Sequence, residues 1–312
     1  MESLKLSFEA ITPIFLLMAL GYLLKRIRFA DKKVFDGINK LVFHIFLPVL
    51  LFYNIYQTEP AEVFDLKLIV FMFAAVLCVF VIGYFAVFLL TKENPKRGVM
   101  LQGFFRSNYA ILGIPLVGYI CGAGAGGVSS MMAAFVVPLF NVLAVISLER
   151  FREGSVNIKG ICKGIVTNPL IIGCIIGALF LGFDITLPKV LEQSVNDISR
   201  LATPLAVLAL GASFTFSDIR GYARELTIVV LVRLVLVPFL GLTAAGILGF
   251  HGEAIACMLV VFGSPVSVSS FAMAQQMGGD EKLAAQVVVV SSVFCLVTLF
   301  FWIFSLHFLG LF

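Results

Sequence analysis

The chain has 312 residues, 61% of them hydrophobic and only 13% charged, where an ordinary globular domain carries roughly 25% charged residues. With 32 phenylalanines and a mean hydropathy of +1.08, it reads as an all-α integral membrane protein with spans of about 20 apolar residues. Alternating segments of about 10 residues, the mark of a membrane barrel, are absent, and a net charge of only +4 gives nucleic acid no support as a partner.

Ten apolar spans follow in order, at about 7–25, 34–57, 67–91, 97–120, 127–148, 164–182, 189–214, 223–249, 253–276 and 282–308. The first is stopped by Lys25-Arg26-Ile27-Arg28, and MESLKLSFEA has neither a basic leader nor a small-residue cleavage site, so it reads as a retained anchor. Spans two and seven are the most polar. The stretch at 150–163 is the one apparent hinge, dividing the chain into halves at 1–152 and 153–312.

Basic residues concentrate in cytoplasmic loops. Fifteen of the 22 lysines and arginines lie in the loops after the odd-numbered spans, whereas the opposite side holds only Lys5, Lys67 and Lys189. Both termini are therefore expected outside. An even number of spans is required, and five per half makes the second half enter from the opposite side. Pro13 and Pro169, Pro48 and Pro204, and Gly21 and Gly177 all share an offset of 156 residues, which supports two inverted repeats of five helices.

The fourth span of each half is broken by proline. RGVMLQGFFRSNYAILGIPLVGYI contains Gly113-Ile114-Pro115, and EAIACMLVVFGSPVSVSSFAMAQQ contains Gly263-Ser264-Pro265. Unpaired backbone groups are expensive in lipid, and paired broken helices mark a transporter's substrate site. Half-helix N-termini exposed at such breaks suit an anion. Arg106 and Asn108 beside the first break, and Ser264, Ser267, Ser269 and Ser270 beside the second, supply side-chain partners, with Gly113, Pro115, Gly263 and Pro265 shaping the backbone.

Other ionisable groups within spans are functional candidates by default. Asp197, three residues before Arg200 on one helix face, is a candidate proton carrier or an ion-pair member, and His44 is a second coupling candidate. Arg233 reads as a residue that orients span eight or snorkels to the interface. The six cysteines are scattered, without C-x-x-C or histidines at ligand spacing, so neither metal nor cofactor is expected. No G-x-S-x-G occurs, and an intramembrane hydrolase would lack a suitable base, which argues against an enzyme.

Ser107-Asn108-Tyr109-Ala110-Ile111-Leu112-Gly113-Ile114-Pro115-Leu116, Leu47-Pro48-Val49-Leu50-Leu51-Phe52, and the run from Phe271 to Asp280 resemble a bacterial auxin efflux carrier. That family is related to the plant PIN carriers and shares a fold with bile-acid/sodium symporters. The resemblance implies that helices four and nine cross at their broken centres, with helices 1, 2, 6 and 7 as a scaffold and helices 3–5 and 8–10 as a moving transport body. It implies that Asn108 contacts a substrate carboxylate and that Pro115 and Pro265 shape the crossing. The acidic residue that plant carriers hold early in span three is absent from LKLIVFMFAAVLC, which separates this chain from auxin. Small dicarboxylates such as malate or malonate are the cargo it implies, across a bacterial plasma membrane. The expected function is therefore a secondary, elevator-type transporter of a small organic anion. Proton or sodium coupling, homodimerisation in the lipid bilayer, and a bile-acid-type sodium symporter or a membrane receptor are the alternatives left open.

Overall fold

A computed structural model describes residues 2–58, 65–122, 126–152 and 158–312, with the side chains of 2–11, Ile114 and 158–162 excluded. Part of the hinge at 150–163 thus lies outside the described residues. All regular structure among the described residues is helical, in the order α1 (Glu2–Arg26), α2 (Lys32–Leu41), α3 (Leu47–Tyr56), α4 (Leu66–Leu90), α5 (Asn94–Phe105), α6 (Tyr109–Cys121), α7 (Gly126–Arg150), α8 (Ile158–Thr167), α9 (Pro169–Gly182), α10 (Lys189–Ser213), α11 (Phe216–Gly221), α12 (Ala223–Leu231), α13 (Val237–Ile247), α14 (Glu253–Gly263), α15 (Ser269–Gln276) and α16 (Glu281–Phe308).

Five continuous stretches among the described residues are long and apolar enough to cross a membrane: Lys32–Tyr56, Leu66–Leu90, Gly127–Arg150, Ala223–Ile247 and Glu281–Phe308. Two of them contain a π-helical turn, at Val42–Phe46 and Val232–Leu236. Each turn runs directly into a proline, Pro48 or Pro238, at the start of the next helix. Proline cannot donate to the carbonyl of the preceding turn, and a widened turn is a common way to absorb that defect. Three helix starts among the described residues carry side-chain caps. Asp65 accepts from Leu68 N, Asn168 from Leu170 N and Asp280 from Leu283 N, satisfying amides that have no partner within the helix.

Glycines bring four helices into backbone contact. A Cβ on Gly21 of α1 would sit 2.1 Å from the Leu208 carbonyl oxygen of α10, and one on Gly211 would sit 2.1 Å from that of Met18. Gly173 and Gly177 of α9 do the same against Pro48 and Phe52 of α3, at 2.4 and 2.9 Å. Small residues at such contacts replace the hydrophobic drive that lipid cannot provide. Large apolar side chains such as Leu89, Ile247 and Phe308 point outward, as a lipid-facing surface requires.

The second broken helix is interrupted where the sequence places it, between α14 and α15 at Ser264–Val268. The first is not. Its break lies between α5 and α6 at Arg106–Asn108, and Pro115 sits inside continuous α6. Gly113 serves packing instead of unwinding: a Cβ there would come within 2.6 Å of the Tyr109 ring. That ring is buried, with its hydroxyl donating to the Ser129 carbonyl. Pro265 falls just after the C-cap residue Ser264, where the helix has already ended and a missing N–H costs nothing.

Candidate functional site

The two interruptions meet. Ser107 and Val266 form an isolated antiparallel bridge, and Asn108 N donates to the Pro265 carbonyl at 2.9 Å. Each break therefore satisfies backbone groups of the other, which is how non-helical chain survives at membrane depth. Beside this pairing lies a cavity of about 50 Å³. Arg106, Ser107, Asn108, Ser267 and Ser269 line it from the breaks, Asn141 from α7, Thr203 from α10, and Leu47, Leu50 and Leu51 from α3. The first residues of α6, Ala110 and Ile111, also reach it. The N-terminal ends of α6 and α15 thus border one space, each carrying roughly half a positive charge.

Arg106 is the centre of the site. It ends α5 as the C-cap residue and is 2% exposed. Its Nη2 donates to Asn141 Oδ1 at 2.6 Å and to Ser269 Oγ at 2.8 Å, and its Nη1 to Gln102 Oε1 at 3.1 Å and to Met273 Sδ. Asn141 is itself held by donating to Val137 O, which fixes its oxygen toward the guanidinium. All these partners are neutral. Among the described residues, no carboxylate lies within ion-pair distance of Arg106.

Asn108 is the N-cap residue of α6, yet its side chain does not cap the helix. The amide is buried at the cavity instead of being spent on local backbone. Ser107 Oγ is buried with no hydrogen-bond partner, an unmet donor and acceptor against the same space. Ser267 Oγ pairs with Ser269 Oγ at 2.9 Å.

The cavity therefore gathers Arg106, Asn108, Ser267 and Ser269 from the residues singled out in sequence, and leaves out the others. Gly113 and Pro115 belong to α6 away from the lining. Gly263, Ser264 and Pro265 form the second break but present backbone to it, not side chains to the cavity. His44 is exposed on the first π turn, with Nδ1 on its own helix at Lys40 O. Asp197 and Arg200 are both exposed on α10 and form no ion pair, so the expected neutralising pair does not exist. Ser107, Asn141 and Thr203 join the lining without having been singled out. Their signal lay in small polar residues within apolar spans, which many helix contacts share.

Arg233 departs furthest from expectation. It neither snorkels nor faces lipid: it is fully buried, and its donors reach the carbonyls of Ser264, Phe105 and Val261 at 2.9, 3.2 and 2.6 Å.

Fold and site together define an all-helical, multi-pass membrane protein organised around two interrupted helices that pair beside a small cavity of mixed polar and apolar lining. The sequence profile of a family described as membrane transport protein matches twice, over residues 6–153 and 152–303. The chain belongs to this family of membrane transporters, the auxin efflux carrier family. It is 24% identical over 300 residues to a protein of Rhizobium meliloti (strain 1021) provisionally named as a malonate transporter, covering 92% of each chain. It is 22% identical over 305 residues to an uncharacterized transporter of Methanothermobacter thermautotrophicus, covering 95% of this chain and 97% of the other.

Proposed function

We propose that the chain is a secondary transporter of a small organic anion, a dicarboxylate such as malonate, which binds at the crossing of its two interrupted helices. The observation that carries this reading is Arg106, a buried guanidinium on a cavity with no carboxylate beside it among the described residues. A buried charge left without a counter-charge costs about 3–5 kcal/mol, so an anion is the partner the site lacks. Two half-helix N-termini add positive potential on the same side, and Asn108 and Ser107 offer neutral donors. A cavity of about 50 Å³ has room for a few waters, which favours a short carboxylate over a bulky one. The name of the Rhizobium relative supports malonate as the first cargo to test.

The architecture we propose is ten membrane helices in two inverted repeats, 1–152 and 153–312. The profile matching each half in turn supports it. So does a pair of close contacts: Gly21 on Leu208 and Gly177 on Phe52, where 177 − 21 and 208 − 52 are both 156. These contacts join the first helix to the seventh and the second to the sixth, as a scaffold of helices 1, 2, 6 and 7 requires. The cavity lies between residues of α3, α9 and α10 on that scaffold and residues of α7 and the crossing on the other body. Sliding one body past the other would alternate its access, an elevator motion. The lysine and arginine asymmetry supports both termini outside a bacterial plasma membrane.

Uptake of labelled malonate into proteoliposomes tests the reading. Arg106→Gln is expected to lower uptake about 100-fold, the loss of a charge-assisted interaction of about 3 kcal/mol, with normal protein abundance. Wild-type uptake by that variant would remove Arg106 from the site. Uptake of another carboxylate in place of malonate would correct the cargo alone.

A further inference from the structure

Interrupted helices leave two pairs of ends at the crossing, and the N-terminal pair borders the cavity. The C-terminal pair, of α5 and α14, carries last-turn carbonyls without helical partners and roughly half a negative charge each, about one negative charge together. Unwound carbonyls of this kind are what a dissolved coupling cation would coordinate. Here four carbonyls around the second break already have partners. Ser264 and Val261 accept from Arg233, Pro265 accepts from Asn108 N, and Gly263 accepts from Cys295 Sγ. Arg233 also reaches across to Phe105 O, the last residue of α5 and the neighbour of Arg106.

We infer that Arg233 is the resident cation of the crossing: its guanidinium neutralises both half-helix C-termini, fills the place a dissolved cation would need, and positions Arg106 for the anion. One positive charge meets about one negative charge. The planar fork of a guanidinium reaches three carbonyls on two helices, which the compact ammonium of lysine does less well. Arg233 comes from the π turn Val232–Leu236, where the widened helix turns this side chain inward to 0% exposure. Among the described residues it has no acidic partner, so its counter-charge is the helix ends themselves. It is a positioning residue, and its consequence for transport rests on the anion reading above.

The test uses purified full-length protein in detergent and in proteoliposomes. Arg233→Ala is expected to melt several degrees below wild type, with millimolar guanidinium chloride restoring part of the loss and sodium or potassium chloride at equal ionic strength restoring none. Wild type should not respond to guanidinium in this range. Malonate uptake by Arg233→Ala should fall about 10-fold, as expected for carbonyls left unpaired, and recover in part with guanidinium. Should Arg233→Ala fail to fold, Arg233→Lys takes its place, expected to fold but melt several degrees below wild type, because its ammonium keeps the charge and reaches fewer of the three carbonyls. Wild-type melting for Arg233→Lys would then overturn the assignment. Wild-type melting and uptake for Arg233→Ala, or stabilisation of the variants by every salt alike, would overturn the assignment. Melting is read without cargo. Absence of malonate uptake by wild type would therefore sink the cargo and leave Arg233 standing, whereas loss of selective guanidinium rescue would sink Arg233 alone.

Discussion

Arg106 and Arg233 are both buried near the crossing, and among the described residues neither has a carboxylate partner. They differ in what their donors meet. Arg233 meets three backbone carbonyls and no cavity, while Arg106 meets side-chain oxygens of Asn141, Ser269 and Gln102 beside open space. Backbone carbonyls at helix ends compensate a cation with a fixed partial charge of the opposite sign. Neutral side chains satisfy hydrogen bonds and leave the charge itself unanswered. Burial of an arginine therefore does not define a site. The nature of its partners does.

The contrast predicts opposite effects on stability. Arg106→Gln should lose about 100-fold in uptake yet melt at or above wild type, because removing an uncompensated buried charge relieves a cost. Equal destabilisation by Arg106→Gln and Arg233→Ala would erase the distinction between the two arginines. Asn108→Ala should weaken malonate uptake about 10-fold through one lost hydrogen bond to a charged partner, expressed in KM, with little change in melting temperature. An unchanged KM would place Asn108 in the backbone pairing alone. Ser107→Ala should shift uptake about threefold and leave stability equal or slightly higher, since its buried hydroxyl has no partner to lose. A clear drop in melting temperature would mean that the hydroxyl is structurally used. Smallest of all, His44→Gln and Asp197→Asn should leave the pH profile of uptake unchanged, because both groups lie off the cavity lining. An altered profile for either would bring it back as a coupling group.

Much of this molecule is legible in the chain. The apolar stretches fall on helices, and five continuous helical stretches among the described residues are long and apolar enough to cross a membrane, because a lipid environment demands long apolar helices. Arg106 and Asn108 were legible too, as polar residues where lipid tolerates few. The position of the first break was not. Local rules favour Gly113-Ile114-Pro115, whereas the chain unwinds seven residues earlier, at Arg106–Asn108. What decides this is Pro265 O and Val266 from a segment over 150 residues away, and no local propensity reports on such a partner. Arg233 was misread for the same reason. A lone arginine in an apolar run looks like a snorkelling side chain until the three carbonyls it meets are known.

Composition and periodicity by themselves thus determined a helical membrane protein, the order of its spans and the fact that two of them are interrupted, because those properties follow from the cost of exposing backbone to lipid. Tertiary structure decided where the first interruption falls, which ends face the cavity, and which of two buried arginines is left for an anion. Those outcomes depend on long-range partners for backbone groups, such as Pro265 O for Asn108 N, Ser291 Oγ for Val266 N and Arg233 for Ser264 O.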